Sequence, residues 1–496
     1  MIWGRGYITD LHYLSSFFNA NAPNHLRIVQ LLNGQRPPDR DAKYRCLEIG
    51  AGSGVGLAVI AASDPNGEFV AVDYMPGHIA AGAQFGRAAK MTNIDFVEAD
   101  IVELVNSNDH DLGEFDYIIC HGVYSWVGPQ VREAILALLR KSLRPGGLLF
   151  FGYNSLPGWT MTGPAQKLIS EFGKSAAGAV QDRVVGAFDF VNQMARLEAK
   201  FLDPDQIPVL GRKASDGVAD LGGNEIRYLA HEYFSEQWSP EYFIDVAREL
   251  AAEKMDFVGS ATMTDLFSPM VATEPQRQLL ANVPDKLMVE QLKDYFSPQM
   301  YRRDVYVRGY APITDRERTK RLKDERMMLI GHPEKFEYKI NCRLGEAELP
   351  RAPYEAALEK LAEGPCTIGD IVSHIEKNGS SLSAEETMAI LTVSSMATSA
   401  PDDTGGPTEA VRDFNRAMTE FALEDLSAHQ LAVAAPQLRN GLFLSRNDFT
   451  IFKTIDELGY DAPVEALANR ASELFDAGGR RLVERSPNRH SRSGDG

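Results

Sequence analysis

The sequence predicts a doubly wound α/β fold, in which helices cover both faces of a largely parallel β-sheet. Between residues 44 and 152, short apolar segments alternate with segments of helical periodicity. Strands that are apolar throughout are typical of a parallel sheet that is buried on both faces. Turns that contain glycine or proline, for example Asp64–Gly67 and Pro145–Gly147, separate these segments.

The elements follow in order along the chain. Apolar composition predicts five strands, at Tyr44–Ile49, Glu68–Asp73, Asp95–Glu98, Phe115–His121 and Gly147–Tyr153. Helical periodicity predicts helices within 7–34, joined near Pro23, and over Val131–Leu143, 160–200 and 239–253, the last one opening with Ser239 as its cap. Two late strands, Met255–Ala261 and Tyr301–Arg308, are predicted to join the same sheet.

We predict four parts of the chain. Residues 1–160 form a ligand-binding core with its N-terminal helices, and residues 161–310 supply a helical insertion and the late strands that complete the sheet. Residues 330–480 lack the alternation of strands and helices, and form a mainly helical C-terminal domain of unknown role. Residues 481–496, rich in Arg, Ser and Gly, form a disordered tail.

A glycine-rich turn, Glu48–Gly54, closes the first predicted strand. Its three glycines allow a sharp turn from strand to helix, and they let backbone N–H groups approach a ligand closely. A dinucleotide site would require glycine at position 55, which is valine. The carboxylate of Glu48, two residues before the first glycine, instead suits a ligand with a cationic amino group.

Two more acids stand at the ends of the next strands. Asp73 ends the second strand, where a carboxylate can accept hydrogen bonds from both hydroxyls of a ribose. Asp100 closes the third strand, where it can accept a hydrogen bond from an adenine amino group. Each acid alone is weak support, but three acids at successive strand ends are a specific pattern. The predicted cofactor-binding residues are Glu48, Gly50, Gly52, Gly54, Asp73, Tyr74, Asp100, Ile101 and His121.

This arrangement resembles the class I S-adenosylmethionine-dependent methyltransferases, whose first motif corresponds to Glu48–Gly54. The resemblance implies S-adenosylmethionine as cofactor and a seven-stranded, Rossmann-like sheet with a final antiparallel strand, for which Tyr301–Arg308 is the candidate. Residues 121–127, 153–159, 228–233 and 258–261 are also similar to bacterial methyltransferases with a methyltransferase regulatory domain. That group includes protein lysine methyltransferases that modify outer-membrane proteins, and the resemblance covers roughly residues 7–310.

The chemistry of the acceptor directs attention to the ends of the fourth and fifth strands. Methyl transfer to an amine needs no metal, but a lysine with a pKa of about 10.4 must first lose a proton, and burial among aromatic rings lowers that pKa. Rings at this edge of the sheet are supplied by Tyr124, Trp126, Tyr153 and Trp159. We predict that Tyr124 and Tyr153 line such a pocket, whereas packing is the favoured role of Trp159. We also predict that His121 accepts a proton or polarises the acceptor, and that Asn154 orients it. Purely structural roles for these side chains stay open.

We therefore predict an enzyme that methylates lysine side chains of proteins. A small-molecule O- or N-methyltransferase, and a non-catalytic module that binds S-adenosylmethionine, stay open as alternatives. The net charge of −18 disfavours nucleic acid as a partner, as does the absence of an Asn-Pro-Pro-Tyr motif after the fourth strand. No metal site is predicted, because the four cysteines include no CxxC pair. Without a signal peptide or an apolar run that could span a membrane, the chain is predicted to be cytoplasmic, and its oligomeric state stays open.

Overall fold

In the computed structural model of the protein, the described residues are 11–106, 112–203, 207, 223–401, 406–425 and 427–477. The predicted tail, residues 481–496, and the start of the predicted N-terminal helices, residues 7–10, lie outside the described residues. Among the described helices, none combines the length and the apolar character that a membrane crossing requires.

The centre of the molecule is one mixed β-sheet. Its strands are β1 (Tyr44–Ile49), β2 (Gly67–Asp73), β3 (Ile94–Glu98), β4 (Phe115–His121), β5 (Leu143–Leu156), β6 (Glu241–Tyr242), β7 (Met255–Ser260) and β8 (Tyr301–Arg308). Their order is β3-β2-β1-β4-β5-β8-β7, and the short β6 pairs with the end of β5. Strands β1 to β5 are parallel, whereas β8 lies antiparallel to both β5 and β7. The predicted fold class is confirmed, including the late antiparallel strand.

Helices cover both faces of the sheet. Before β8 they are α1 (Pro23–Leu32), α2 (Val55–Ser63), α3 (Pro76–Ala88), α4 (Ile101–Asn106), α5 (Pro129–Ser142), α6 (Gly163–Ser175), α7 (Val180–Arg196), α8 (Gly223–Phe234), α9 (Phe243–Ala252), α10 (Ser268–Val271), α11 (Glu274–Leu280) and α12 (Lys286–Phe296). One face of the sheet packs on α1, α2 and α3, and the other packs on α4, α5 and α9. Residues of one strand alternate between these two cores, as in β5, where Phe150 belongs to the first core and Phe151 to the second.

The N-terminal segment differs from its prediction. Residues 11–18 form no helix, and α1 begins only at Pro23. The segment instead pairs with a distant part of the chain: the N–H of Ser15 donates to the carbonyl of Ser427 at 2.9 Å, and the N–H of Phe17 donates to the carbonyl of Gln430 at 2.6 Å. Because these backbone groups find partners about 400 residues away, local periodicity did not predict their conformation.

The predicted cap at Ser239 is also wrong. Helix α9 begins at Phe243, four residues later, because Glu241–Tyr242 forms β6 against Ser155–Leu156 of β5. The side chain of Glu241 is bound by Arg132 and by the hydroxyl of Ser239 at 2.9 Å. The segment before α9 therefore joins the sheet to α5 and does not cap a helix.

The C-terminal region combines short helices with small sheets. Its helices are α13 (Asp315–Asp324), α14 (Arg351–Ala362), α15 (Ile368–Lys377), α16 (Ala384–Val393), α17 (Glu409–Glu424), α18 (Arg446–Leu458) and α19 (Val464–Ala477). Its strands are β9 (Arg326–Leu329), β10 (Lys339–Cys342), β11 (Gly345–Glu348), β12 (Cys366–Thr367), β13 (Ala397–Ser399), β14 (Leu431–Ala435) and β15 (Asn440–Leu444). The core beneath α1 and α2 continues into this region through Tyr354, Ile371 and Met388. The boundaries of the four predicted parts stay predictions.

A buried ion-pair cluster joins β8 to α12. The guanidinium of Arg302, which is 1% exposed, donates to Asp294 at 2.7 Å, to Asp304 at 2.9 Å and to Glu290 at 3.0 Å. Such a cluster stabilises a fold only as a complete set, because a buried charge that loses its partner costs several kcal/mol. The cluster fixes the position of β8, whose first residue is Tyr301.

Candidate active site

A cavity of about 290 Å³ lies at the carboxyl ends of the parallel strands. Its floor crosses the sheet: Asp100 follows β3, Asp73 ends β2, Glu48 lies in β1, His121 ends β4 and Tyr301 begins β8. Open α/β sheets bind their ligands at this edge. Eight of the nine predicted cofactor-binding residues line the cavity, and Gly54 is the exception.

The glycine turn forms one wall of the cavity. Gly50, Gly52 and Gly54 have φ angles of 69°, 58° and 65°, a left-handed conformation that favours glycine. A Cβ at Gly52 would meet no atom within 4 Å, so the turn faces open space there. A Cβ at Gly54 would lie 2.8 Å from the ring of Phe96. Gly54 therefore serves the turn and its packing, and its contact with the ligand stays a prediction.

Asp73 anchors this turn and keeps acceptor capacity toward the cavity. Its Oδ2 accepts from the N–H of Gly52 at 2.8 Å, and its Oδ1 accepts from the N–H of Met75 at 2.8 Å. Nδ1 of His78 lies 3.2 Å from the same Oδ1. A carboxylate has about four acceptor positions, so Oδ2 can also accept from a ligand hydroxyl.

Glu48 lies beneath the turn as an unpaired acid. Burial raises its pKa to about 8, and the charge of Asp73 acts in the same direction. Within the described ranges, no group donates a hydrogen bond to its carboxyl and no cation pairs with it. A nearby cation favours the charged form of a buried acid. The site is therefore prepared for a ligand ammonium group.

The wall beyond β3 combines one carboxylate with apolar surface. Oδ1 of Asp100 accepts from the N–H of Val102 at 2.9 Å, at the start of α4. Ala99, Ile101 and Val131 line the same part of the cavity. Apolar walls with one polar acceptor suit a flat heterocycle that carries an amino group.

His121 stands further along the sheet edge as a neutral imidazole. Burial, aided by the charge of Arg303, lowers its pKa to about 3. Its Nδ1 lies 3.1 Å from Oδ1 of Asn21, so Nδ1 donates and Nε2 is left as an acceptor. The ring of Phe18 lies 4.2 Å away between ring centres, and that of Tyr301 lies 5.7 Å away. Sequence reasoning missed Asn21, Phe18 and Tyr301, which reach His121 only through the fold.

Helix α8 also forms part of the wall of the cavity. His231 and Glu232 both line it, and both belong to the segment 228–233 that resembles the methyltransferase family. Nε2 of His231 lies 2.9 Å from the carbonyl of Leu11, and burial lowers the pKa of this histidine to about 4. Glu232 is 8% exposed, and burial raises its pKa to about 8. The cavity thus holds a second acid that burial keeps protonated near neutral pH.

Tyr124 and Tyr153 lie outside the cavity, so the prediction that they line an acceptor pocket is wrong for both. The hydroxyl of Tyr124 donates to Glu249, and that of Tyr153 donates to Asp304 at 2.8 Å. Both rings are buried in the core that packs on α4, α5 and α9. For Tyr153 the physical reason is strand alternation: Gly152 pairs with His121, so the next residue of β5 points to the face opposite His121.

Asn154 is not among the residues that line the cavity, and its predicted contact with the acceptor is not supported. Its side chain is buried, and its backbone N–H donates to the hydroxyl of Ser125 at 2.8 Å. Of the predicted aromatic residues, Trp126 does line the cavity. The other rings there come from the N-terminal segment and β8, and they are Tyr13, Phe18 and Tyr301.

The N-terminal segment forms a strap over the cofactor end of the cavity. The strap consists of residues 13–18, of which all but Phe17 line the cavity. The hydroxyl of Ser15 lies 2.8 Å from that of Ser53 in the glycine turn and 3.2 Å from that of Ser427. The C-terminal region therefore contributes to the cavity indirectly, because it holds the strap in place.

Comparison with known proteins assigns the chain to a family. Residues 47–149 match the family described as methyltransferase domain, and residues 225–308 match the predicted methyltransferase regulatory domain. The uncharacterized protein sll1526 of Synechocystis sp. is 30% identical over 384 residues, which are 77% of this chain and 74% of that protein. The chain belongs to the methyltransferases with a regulatory domain. Another relative of this methyltransferase, uncharacterized protein RP028 of Rickettsia prowazekii, is 32% identical over 240 residues, or 47% of this chain and 89% of that protein.

The fold of this methyltransferase is also similar to a solved structure, PKMT2 from Rickettsia typhi in complex with AdoHcy. The TM-score is 0.68 at 19% sequence identity, and the likeness covers 98% of this chain and 95% of that one. The methyltransferase uses S-adenosylmethionine as its methyl donor, as the family implies. Its cavity fits that cofactor, since Gly52 opens onto free space and no cation of the described residues pairs with Glu48. The contacts of the individual residues with the cofactor stay predictions.

Proposed function

We propose that this methyltransferase methylates lysine side chains of proteins. The observation that carries the proposal is the charge of the cavity. Its described lining contains four carboxylates and three histidines but neither lysine nor arginine. Three carboxylates stand at the ends of β1, β2 and β3, and we propose that Glu48 holds the amino group of the cofactor, Asp73 its ribose and Asp100 its adenine. The fourth carboxylate lies beyond them.

The rest of the cavity suits an organic cation. Tyr13, Phe18, Trp126 and Tyr301 present aromatic rings to it. Aromatic faces attract ammonium and methylammonium groups, whereas an acidic lining repels phosphates and carboxylates. A lysine side chain carries its charge at the end of a slender, flexible chain, so it can reach a buried site of this kind.

The neutral imidazole of His121 contributes to the reaction by position. S-adenosylmethionine supplies an electrophilic methyl group on a sulfonium. The acceptor amine needs a free lone pair, and the buried, aromatic walls favour its neutral form by desolvation. Nε2 of His121 is left as an acceptor and can orient an N–H of the amine. The net charge of −18 adds a long-range attraction for basic protein segments.

The experiment is transfer of tritiated methyl groups to a bacterial lysate. Acid-insoluble label that proteases release and nucleases do not, followed by recovery of methyllysine after acid hydrolysis, is the expected result. Gly52→Val provides the control, because its side chain would enter the space beside the glycine turn. That variant is expected to leave the lysate unlabelled.

Other outcomes would overturn the proposal and select an alternative. Label that stays soluble in acid would indicate a small-molecule methyltransferase. Label that nucleases release would indicate a nucleic-acid acceptor. Tight binding of S-adenosylmethionine without any transfer would indicate a non-catalytic module. Methylated arginine or glutamate in place of methyllysine would show that the acceptor is a protein but that the methylated side chain is not lysine.

A further inference from the structure

We infer that Glu232 is the residue that binds the ammonium group of the acceptor and takes up its proton. The inference rests on the proposed function, because it supposes an amine acceptor. It goes further in assigning the selection of that amine to one carboxylate of the regulatory-domain region, which spans residues 225–308.

The position of Glu232 separates it from the cofactor. The three carboxylates proposed for the cofactor occupy β3, β2 and β1 in sheet order. Glu232 instead lies on α8, away from the parallel strands, and its charge contributes to raising the pKa of Tyr301, an effect that burial dominates. Tyr301 begins β8, which is three strand spacings, or roughly 14 Å, from β1. Of the four carboxylates in the described lining of the cavity, Glu232 is the one that does not stand at the end of a parallel strand.

The surroundings of Glu232 distinguish it from structural acids. Glu232 and Glu48 are the buried carboxylates that accept no hydrogen bond from any described residue, and Glu48 is already proposed to bind the cofactor. The others are satisfied, for example Asp64 by Tyr44, Asp265 by Ser260, Glu325 by Arg27 and Asp294 by Arg302. A buried polar group without a partner is costly, and native proteins rarely keep one unless a ligand completes it.

Of the described titratable groups near Glu232, none of the others can act as a negatively charged base toward the acceptor amine. His231 precedes it on α8, and the low pKa of that histidine keeps the ring neutral. His121 is neutral for the same reason, burial. Burial also raises the pKa of Tyr301, so this phenol keeps its proton. None of these groups carries the negative charge that would hold an ammonium ion.

The proton balance is complete with this one residue. Glu232 begins as a carboxylic acid and releases its proton to water as the acceptor enters as R–NH3+, because a nearby cation favours the carboxylate. The carboxylate then takes one proton from the ammonium to give R–NH2 and a carboxylic acid. The nitrogen lone pair then forms the N–C bond to the methyl carbon, while the electron pair of the S–C bond leaves with sulfur. The product is R–NH2–CH3+ with a neutral thioether, and Glu232 is left as the carboxylic acid with which the cycle began, so one proton is released to water per methyl group transferred.

The first test is equilibrium binding of two cofactor analogues by calorimetry. Sinefungin carries an amine where the cofactor has its methylsulfonium, whereas S-adenosylhomocysteine carries none. We expect the Kd of sinefungin for the wild type to be at least about tenfold lower than that of S-adenosylhomocysteine, because a hydrogen bond to a charged group contributes that much affinity. In Glu232→Gln the preference should disappear, while the Kd of S-adenosylhomocysteine stays within about twofold because that ligand lacks the amine.

The second test is the rate of methyllysine formation in the lysate assay. Glu232→Gln should lower the rate about 100-fold or more, as loss of a general base does, and Glu232→Asp should restore part of it. Glu225→Gln, an exposed change on the same helix, is the matched control and should keep the wild-type rate.

Two results would overturn the role of Glu232. A Glu232→Gln variant that forms methyllysine at the wild-type rate would exclude it as the base. A variant that keeps the preference for sinefungin, or that loses S-adenosylhomocysteine as well, would exclude it as the ammonium site. Failure of the proposed function is distinguishable, because there the wild type itself forms no methyllysine.

Discussion

The affinity for the cofactor is expected to depend on pH through Glu48. Burial and Asp73 raise the pKa of this acid to about 8 in the free protein, so it is mostly protonated at neutral pH. Binding of a ligand ammonium requires the carboxylate and therefore releases the proton. The affinity for the ligand is therefore highest above the raised pKa of Glu48. It falls as the pH drops below that pKa, by up to about tenfold per pH unit.

The magnitude follows from the fraction of carboxylate. With a pKa of about 8, roughly a quarter of Glu48 is ionised at pH 7.5 and about 1% at pH 6. The Kd of S-adenosylhomocysteine should therefore rise about 25-fold over that interval, which corresponds to about 2 kcal/mol. At pH 7 close to one proton should be released for each ligand bound.

Calorimetry in buffers of different ionisation enthalpy measures both the affinity and the released proton. Glu48→Gln is the matched control, since it keeps the shape of the side chain and cannot ionise. Its affinity should be weaker at pH 7.5, and the part of the pH dependence that comes from Glu48 should vanish. Proton release from the variant equal to that of the wild type would refute the role of Glu48.

Three further variants test the site and the corrections to it. Asp73→Ala should weaken binding of S-adenosylhomocysteine by about 1–3 kcal/mol, because ribose hydroxyls and the N–H of Gly52 lose their acceptor; unchanged affinity by calorimetry would refute the ribose assignment. Tyr153→Phe should lower the free energy of unfolding in urea by about 1 kcal/mol, because its hydroxyl donates a hydrogen bond to Asp304. The rate of methyllysine formation should stay within about twofold of the wild type. A large loss of activity would indicate that Tyr153 does act in the active site. Arg302→Met should lower the free energy of unfolding by about 3–5 kcal/mol, because three buried acids lose their shared cation; a melt like that of the wild type would contradict this.

The sheet could be predicted closely from the sequence. The bounds predicted for β1, β4 and β8 agree with the structure, because buried strands are continuous apolar segments that end at glycine or at polar residues. The glycine turn and the acids Glu48, Asp73 and Asp100 also meet in one cavity, since parallel strands bring their carboxyl ends to the same edge.

The residues that contact the methyl acceptor were harder to predict than the cofactor site, for two different reasons. Tyr153 was assigned to the wrong face although the signal was present: alternation along β5 places it with Phe151, away from His121. Tyr301 and Glu232 carry no comparable signal, because they reach the cavity through an antiparallel strand and a helix far along the chain. Sequence spacing does not encode such long-range packing.

The most direct measurement is a crystal structure of the protein with sinefungin bound. We expect the ligand to lie in the cavity at the carboxyl ends of the strands, with its amino-acid ammonium on Glu48, its ribose on Asp73 and its adenine beside Asp100. The additional amine should face Glu232. Sinefungin bound elsewhere, or bound with these three acids turned away from it, would contradict the cofactor site, and an amine that faces away from Glu232 would contradict the acceptor site.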